Sequence, residues 1–147
     1  MVRGQVGQAG IGAIYSPNFS LGVYFYSKLV GLTARWTKQF PEFDLGILEW
    51  HHRHKVDAPS GTAKALVRLI EAERGHAPEC AVVRAGDCPG QYSVWMDGPS
   101  DTVELTHRAR NRDSYASGAV LAAELVVGRR GLIAFGDLLE EQWRNIL

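Results

Sequence analysis

The segment Glu49–Thr62 reads EWHHRHKVDAPSGT and joins a short apolar run to a helical pattern. Three of the chain's five histidines stand here at positions 51, 52 and 54, followed at once by a lysine, an aspartate and a Pro-Ser-Gly-Thr turn. Composition alone does not produce this density of titratable groups. We therefore expect the rest of the fold to hold this segment in place and the segment to carry the chemistry.

Length and composition limit the classes of function. The 147 residues, 46% of them hydrophobic, suit one ordinary globular domain with a real core. The formal net charge is zero, so no overall field draws the chain to nucleic acid or to an anionic membrane. No apolar run approaches the roughly 20 residues of a membrane span. Two cysteines, expected to be unpaired, and no secretion signal predict a cytoplasmic protein.

The elements around the segment follow from its pattern. Phe43–Trp50 is short and apolar, which predicts a strand that ends at the histidines. Pro59 biases the residue before it towards an extended conformation, so a new helix is expected to begin after it. Ser60 is the natural N-cap of that helix, and Gly75 is expected to close it.

The N-terminal region carries glycines at positions 4, 7, 10 and 12, which mimic a dinucleotide loop. Because no strand precedes Gly4 and Pro17 interrupts soon afterwards, residues before Gly12 are predicted to be a flexible leader. Gly12–Tyr15 is a candidate short strand. Asn18 or Ser20 is the expected N-cap of an amphipathic helix that continues towards Phe40.

The second half predicts three strands joined by short loops, and successive short-looped strands favour antiparallel pairing. A helix capped by Asp113 or Ser114 is expected next, then a last strand and a helix capped by Asp137. The predicted strands are Cys80–Arg84, Gln91–Met96, Asp101–Ala109 and Gly131–Phe135.

The predicted fold class is α+β, a mixed or largely antiparallel sheet with helices mostly on one face. Val94, Met96, Val103 and Leu105 are candidates for an apolar sheet face that the helices leave uncovered.

The start of the helix after Pro59 is a candidate anion site. The backbone N–H groups of Gly61 and Thr62, the nearby hydroxyls and the helix dipole all favour a carboxylate there. Lys55 adds a full positive charge beside them. The plainer interpretation is that Ser60 only caps the helix and Gly61 is only permissive.

The histidines allow two interpretations, metal ligation and proton transfer. Lys55 would repel a divalent cation, and a closed ligand set would have to recruit Asp57 or Glu49. An unperturbed histidine pKa near roughly 6.5 suits proton transfer at cytoplasmic pH. We therefore favour proton transfer and predict no metal site, with His54 equally well explained as a polar surface residue.

Three stretches together resemble the dihydrodipicolinate reductase (4-hydroxy-tetrahydrodipicolinate reductase) family. The segment from Glu49 to Ala63 is similar to the family's signature. Ser16 to Val23, SPNFSLGV, resembles its hinge, and Glu104 to Arg112 followed by Gly118-Ala119 resembles its C-terminal strand and helix. The likeness covers nearly the whole chain from Ser16 onwards.

The resemblance implies an oxidoreductase of lysine and diaminopimelate biosynthesis. In that reaction NADH or NADPH gives a hydride to a cyclic dicarboxylate, 4-hydroxy-tetrahydrodipicolinate (dihydrodipicolinate), to yield tetrahydrodipicolinate. By resemblance His51 is the general acid or base and Lys55 a proton donor and charge partner. The substrate would be bound by His52, Ser60, Gly61 and Thr62, and the cofactor side would be contacted by Ser16, Pro17, Asn18, Phe19 and Arg112. Family members are tetramers whose sheets meet face to face, which implies a homotetramer.

The chain also departs from the family. Only residues 1–15 precede Ser16, whereas a cofactor-binding Rossmann domain needs on the order of 100. Residues 1–15 are thus expected to be a leader or a remnant of a preceding domain, and 16–147 the C-terminal, substrate-binding and oligomerising domain. The loop before Arg84 is shorter than usual, and Tyr92 stands where the family has a histidine.

Two hypotheses of different class follow. In one, the chain is the substrate-binding and proton-donating half of a reductase, and hydride transfer is not expected from these residues alone. In the other, it is a stand-alone dicarboxylate-binding or oligomerisation module without redox activity.

Overall fold

The computed structural model describes residues 2–144. Met1 and residues 145–147, which belong to the two predicted domains, lie outside the described residues. The chain divides into two units, residues 22–112 and, separately, residues up to 21 with those from 113 onward. The helices are α1 (Val2–Ala9), α2 (Leu21–Thr37), α3 (Gly61–Arg74), α4 (Asp113–Leu125) and α5 (Phe135–Trp143). The strands are β1 (Gly12–Tyr15), β2 (Asp44–His51), β3 (Glu79–Arg84), β4 (Gln91–Asp97), β5 (Thr102–Arg108) and β6 (Gly131–Ala134).

The larger unit is built on a four-stranded mixed sheet with strand order β3-β2-β4-β5. β4 pairs antiparallel with both β2 and β5. β3 pairs parallel with β2, because α3 crosses back over the sheet between these two strands. The predicted α+β class with a mixed, largely antiparallel sheet is confirmed, but the expectation that β3 pairs antiparallel with its successor is wrong.

The core of this unit lies between one sheet face and the helices α2 and α3. Alternate residues of β2 and β4 supply the sheet side, and the helices supply Val30, Ala34, Leu66 and Ile70. Val94 and Met96 belong to this core, so the proposal that they form an uncovered apolar face is wrong. Their positions have the right period, but the sequence alone does not say which face the helices cover.

α3 begins and ends where the sequence predicts. The Ser60 hydroxyl accepts the Ala63 N–H at 3.2 Å, and Gly75 closes the helix in the left-handed region with a φ of 95°. Both ends are therefore fixed by local chemistry. The Ser60 N–H donates to the Glu49 carboxylate, which places the start of α3 beside the end of β2.

The smaller unit contains a two-stranded parallel sheet in which β1 pairs with β6. Phe19 packs on Phe135 with ring centroids 5.2 Å apart. A Cβ on Gly118 would lie 1.7 Å from the Phe19 carbonyl oxygen, so only glycine allows this approach of α4.

Two N- and C-terminal details differ from the predictions. The expected flexible leader is wrong for Val2–Ala9, which form α1 with Val6 buried. Asp137 does not cap α5, because the helix begins at Phe135 and Asp137 lies inside its first turn. The carboxylate still has a favourable place there, beside the positive end of the helix dipole.

Candidate functional site

The inward-facing residues of β2 are apolar in the first half of the strand and polar at its end. Leu45, Ile47, Glu49 and His51 all point to the core face, and the last two are 0% and 3% exposed. The histidine predicted to follow the strand is therefore its last residue. A carboxylate and an imidazole are buried at the point where the apolar core ends.

Glu49 is the anchor of the site. One carboxylate oxygen accepts the Ser60 N–H at 2.9 Å, and the other accepts from the Arg84 guanidinium at 3.0 Å. Arg84 also donates to the Asp57 carbonyl at 2.6 Å. A buried carboxylate is tolerated only when it is paired and hydrogen-bonded, and here its partners come from β3 and from the first turn of α3. Glu49 thus ties three segments of the chain to one point.

His51 is held as a neutral imidazole. Its burial lowers its pKa from the usual 6.5 to about 4, although the Glu49 carboxylate, 3.7 Å from Nε2, acts in the opposite direction. Nε2 lies 3.0 Å from the Tyr92 hydroxyl, while Nδ1 is buried without a hydrogen-bond partner among the described residues. The unperturbed pKa assumed from the sequence does not apply to His51.

Two neighbours fix the ring of His51. Tyr92 meets it edge-on with centroids 5.4 Å apart, and the Tyr92 hydroxyl is also 3.1 Å from the Ser60 hydroxyl. On another side, a Cβ at Gly90 would lie 3.1 Å from the imidazole Cε1, and Gly90 has a φ of 155°. A side chain at position 90 would therefore displace the imidazole.

The first turn of α3 leaves space beside Gly61. The cap uses the N–H of Ala63, and the Ser60 carbonyl accepts that of Lys64. A Cβ built on Gly61 would meet nothing within 4 Å, whereas Thr62 is 7% exposed. The predicted trio Ser60, Gly61 and Thr62 thus forms one helix terminus with room beside it.

Lys55 lies in the loop between β2 and α3. Its ammonium is 2.6 Å from the Asp57 carboxylate, and this hydrogen bond lowers the pKa of Asp57. The loop is tied at its start, since the His52 N–H donates to the Cys88 carbonyl at 2.7 Å and the Arg53 N–H to the Gly86 carbonyl at 3.1 Å. The predicted catalytic lysine therefore has a carboxylate partner of its own.

The predicted cofactor residues are placed elsewhere in the chain. Ser16, Pro17, Asn18 and Phe19 belong to the smaller unit, where the Ser16 hydroxyl donates to the Asn18 carbonyl at 2.5 Å and the Asn18 side chain accepts the Ser20 N–H at 2.9 Å. Arg112 belongs to the larger unit and is exposed in the bend after β5.

The other two histidines of the loop are placed differently. His52 is half-buried, and His54 is exposed with its ring centroid 6.3 Å from that of His52.

Sequence reasoning missed three participants. The sequence suggests Glu49 only as a metal ligand, although its place in the alternation of β2 marks it as a charged residue on the core face. Arg84 and Tyr92 become neighbours of Glu49 and His51 only through the register of β3 and β4, where His51 is opposite Arg84 and Glu49 opposite Tyr92. No local sequence pattern predicts those pairings.

Residues 2–144 contain neither a cluster of metal-binding side chains nor a helix able to cross a membrane. No three histidine, cysteine or acidic side chains lie together in a way that would hold a metal ion. Within the same residues, none of the helices combines the length and the apolar character needed to cross a membrane.

Comparison with known proteins defines the class. The family described as "Dihydrodipicolinate reductase, C-terminus" matches residues 22–139. The 4-hydroxy-tetrahydrodipicolinate reductase of Ralstonia pickettii is 37% identical, with 88% of this chain and 56% of the relative covered. That of Methanopyrus kandleri is 39% identical, with coverages of 92% and 55%. A solved structure of dipicolinate-bound dihydrodipicolinate reductase from Paenisporosarcina sp. TG-14 has the same fold, with a TM-score of 0.72, 24% identity and coverages of 92% and 57%.

The fold and these matches define an α+β domain found in reductases. The chain belongs to the dihydrodipicolinate reductase family and corresponds to its C-terminal part, so the predicted resemblance is confirmed. It spans about half the length of the curated relatives it matches.

Proposed function

We propose that this chain supplies the substrate-binding and proton-handling half of the reduction of 4-hydroxy-tetrahydrodipicolinate to tetrahydrodipicolinate with NADH or NADPH, in cytoplasmic lysine and diaminopimelate biosynthesis. The observation that carries the proposal is the start of α3, where Ser60 caps the helix and nothing lies within 4 Å of a Cβ built on Gly61. The family relationship names the reaction class, and the helix terminus supplies a place for a carboxylate.

The substrate is a dicarboxylate, so the site needs two sources of positive potential. Ser60, Gly61 and Thr62 provide one at the amino end of α3. Lys55 provides the other, with His52 beside it on the same loop. That a solved relative is described as dipicolinate-bound supports a pyridine-type dicarboxylate as the ligand class.

The two catalytic residues take different parts in this proposal. His51 is neutral at cytoplasmic pH because burial lowers its pKa to about 4, so it serves as a proton acceptor or a hydrogen-bonding group. Lys55 brings the positive charge and a transferable proton once a substrate carboxylate competes with Asp57 for its ammonium.

The described residues do not by themselves fit a whole dinucleotide. Within residues 2–144 no glycine-rich turn joins a strand to a helix, and the early glycines at 4 and 7 lie inside α1. We propose only that Ser16–Phe19 and Arg112 contact the cofactor side, and no step of the mechanism is assigned through it. This chain alone is expected to oxidise little or no NADPH with freshly generated substrate.

The smaller unit spans the proposed domain boundary near residue 16, because β1, which lies before that boundary, pairs with β6. A parallel sheet is normally buried on both faces within a larger α/β layer, and the β1–β6 pair has only two strands. We propose that residues 1–15 are a remnant of a dinucleotide-binding domain and that residues 16–147 form the C-terminal domain. Co-expression with the N-terminal half of a relative should then produce NADPH oxidation that His51→Ala abolishes. A robust rate from this chain alone would contradict the proposal.

Calorimetric titration with pyridine-2,6-dicarboxylate tests the site itself. Lys55→Ala should weaken binding about 10- to 100-fold, the value of a charge-assisted hydrogen bond. Thr62→Val should weaken it several-fold, and Lys28→Ala, whose ammonium lies over the Tyr24 ring, is the matched control and should change nothing. No heat and no thermal shift at millimolar ligand would exclude the anion site.

The second candidate, a binding or oligomerisation module without redox activity, has its own supporting observation. The proposed carboxylate-binding residues all belong to the larger unit. Dicarboxylate binding of the wild-type chain with no turnover, even when the N-terminal half of a relative is supplied, would favour this candidate.

We also propose that the protein is a homotetramer whose sheets meet face to face. On the face of the larger sheet opposite the core lie Leu48, Trp50 and Val83, the last two 38% and 37% exposed. Burying such a surface is the ordinary driving force of association. Light scattering should show a tetramer, and Val83→Glu should shift it to smaller species. A wild-type monomer would contradict the proposal.

A further inference from the structure

The loop that carries Lys55 is held at its start and near its end by different kinds of contact. At its start, the backbone N–H groups of His52 and Arg53 donate to carbonyls of the turn after β3, at 2.7 and 3.1 Å. Near its end, the Asp57 carbonyl accepts from the Arg84 guanidinium at 2.6 Å. Lys55 lies between the two anchors, so its position depends on both.

The guanidinium that holds Asp57 is itself fixed by other contacts. Its Nη2 nitrogen also donates to the Glu49 carboxylate at 3.0 Å, and Nη1 donates to the Val83 carbonyl at 2.9 Å. The Glu49 side chain is 0% exposed and that of Arg84 is 16% exposed. A buried carboxylate keeps its cation in place, because separating the two would leave an uncompensated buried charge. The position of the donor is therefore set by the sheet and not by the loop.

The other contacts of Lys55 lie within the loop. Its ammonium is 2.6 Å from the Asp57 carboxylate, and its backbone N–H donates to the His52 carbonyl at 3.1 Å. These contacts fix Lys55 relative to the loop and leave its position relative to the sheet to the two anchors. Because the anchor at Asp57 comes from a single side chain, one substitution can remove it.

We propose that Arg84 is a positioning residue that holds the loop at Asp57 and so keeps the Lys55 ammonium where a substrate carboxylate can bind it. The inference rests on the proposed function, in which Lys55 binds one carboxylate of a cyclic dicarboxylate. Arg84 acts through the loop and is assigned no contact with the substrate. One charge-assisted hydrogen bond connects the buried Glu49 pair to the exposed loop.

Arg84→Lys separates the two contacts of Arg84. The lysine ammonium keeps the positive charge beside Glu49, but its side chain is one bond shorter and lacks the planar fork of the guanidinium. It should therefore stay with the buried carboxylate and release the Asp57 carbonyl. Calorimetric titration with pyridine-2,6-dicarboxylate should show binding about 5- to 10-fold weaker than in the wild type, the value of one hydrogen bond.

The titration of Asp57 measures the state of the loop without any ligand. In the wild type, the hydrogen bond from Lys55 lowers the pKa of the Asp57 carboxyl. Carbon-13 NMR of aspartate-labelled protein should show this pKa rising towards its ordinary value in Arg84→Lys, because the released loop holds the two side chains together less well. The charge at position 84 is the same in both proteins, so a lost charge or a general loss of stability would not produce that rise.

Arg74→Lys is the matched control. Arg74 is another largely buried arginine, with a side chain 7% exposed, that donates to the Phe43 carbonyl at 2.9 Å and lies 3.8 Å from the Asp44 carboxylate. These contacts are at the other end of β2. The exchange should leave both dicarboxylate binding and the pKa of Asp57 unchanged.

A second variant keeps the test decisive if Arg84→Lys does not fold. Replacing Ala58 with lactic acid turns the amide between Asp57 and Ala58 into an ester, whose carbonyl is a weaker acceptor, while Arg84 and Glu49 stay as they are. Binding should again weaken and the pKa of Asp57 should again rise.

Unchanged dicarboxylate binding, or an unchanged pKa of Asp57, in either folded variant overturns the proposal. If the wild type binds no dicarboxylate, the proposed function is refuted, and the pKa of Asp57 alone decides whether Arg84 holds the loop.

Discussion

Two parts of the segment Glu49–Thr62, the end of β2 and the loop that follows it, hold their ionisable side chains in different ways. At the strand end, Glu49 and His51 are buried, and their side chains contact fixed partners in β3, β4 and the start of α3. In the loop, Lys55 and Asp57 form a pair whose side chains are 25% and 52% exposed. The first part is a rigid frame, and the second can exchange one partner for another. A site that must bind and release an anion needs both.

The largest effect should follow from breaking the frame. Arg84→Gln leaves the Glu49 carboxylate buried without its cation, which should lower the free energy of unfolding by about 3–5 kcal/mol. Denaturant unfolding measures it. Arg35→Gln is the control, because the Arg35–Glu73 pair has a side chain that is 65% exposed and its loss should cost at most about 1 kcal/mol. Equal losses in the two variants would mean that burial does not distinguish these pairs.

The second effect is a dependence of stability on pH. His51 has a pKa of about 4 in the folded protein and about 6.5 when unfolded, so between these values the unfolded chain binds more protons. The free energy of unfolding should therefore fall as the pH drops from 6.5 to 4, by on the order of 2 kcal/mol from this group.

Urea unfolding at several pH values measures how the free energy of unfolding changes between pH 6.5 and 4. His51→Gln should flatten the dependence between pH 6.5 and 4, leaving a smaller part from His107, whose pKa burial also lowers. His54→Gln, on the exposed loop, is the control and should retain the wild-type slope. A slope that His51→Gln does not change would assign the effect to other groups.

The smallest effect on stability should come from the exchangeable pair. Asp57→Asn releases the Lys55 ammonium and should change the free energy of unfolding by less than about 1 kcal/mol. It should nevertheless tighten pyridine-2,6-dicarboxylate binding several-fold, since a competing carboxylate is removed. Calorimetry decides, and weaker binding would show that Asp57 holds Lys55 in its binding position.

Local signals predicted much of this molecule. The N-cap at Ser60, the left-handed Gly75 and the alternation of β5 each depend on neighbours in sequence, and each was found where expected. The family signature located the loop and the helix terminus. These features need no knowledge of the tertiary fold.

The remaining features depend on long-range pairing. That β3 runs parallel to β2 follows from the α3 crossover, and that Val94 faces the helices follows from the packing of both helices on one side of the sheet. The pairing of Tyr92 with His51 requires the β2–β4 register. A one-residue slip of that register would place Tyr92 on the opposite face, and no short-range pattern excludes it.

The contacts of Glu49 also bear on the order of folding. Its carboxylate joins the Ser60 amide, eleven residues away, to the Arg84 guanidinium, thirty-five residues away. Contacts of such different sequence separation close loops of different length. The longer loop, between Glu49 and Arg84, closes only when β2 and β3 pair. The carboxylate is thus satisfied only after the crossover is complete. Acquisition of dicarboxylate binding during refolding should lag behind the helical signal of α3.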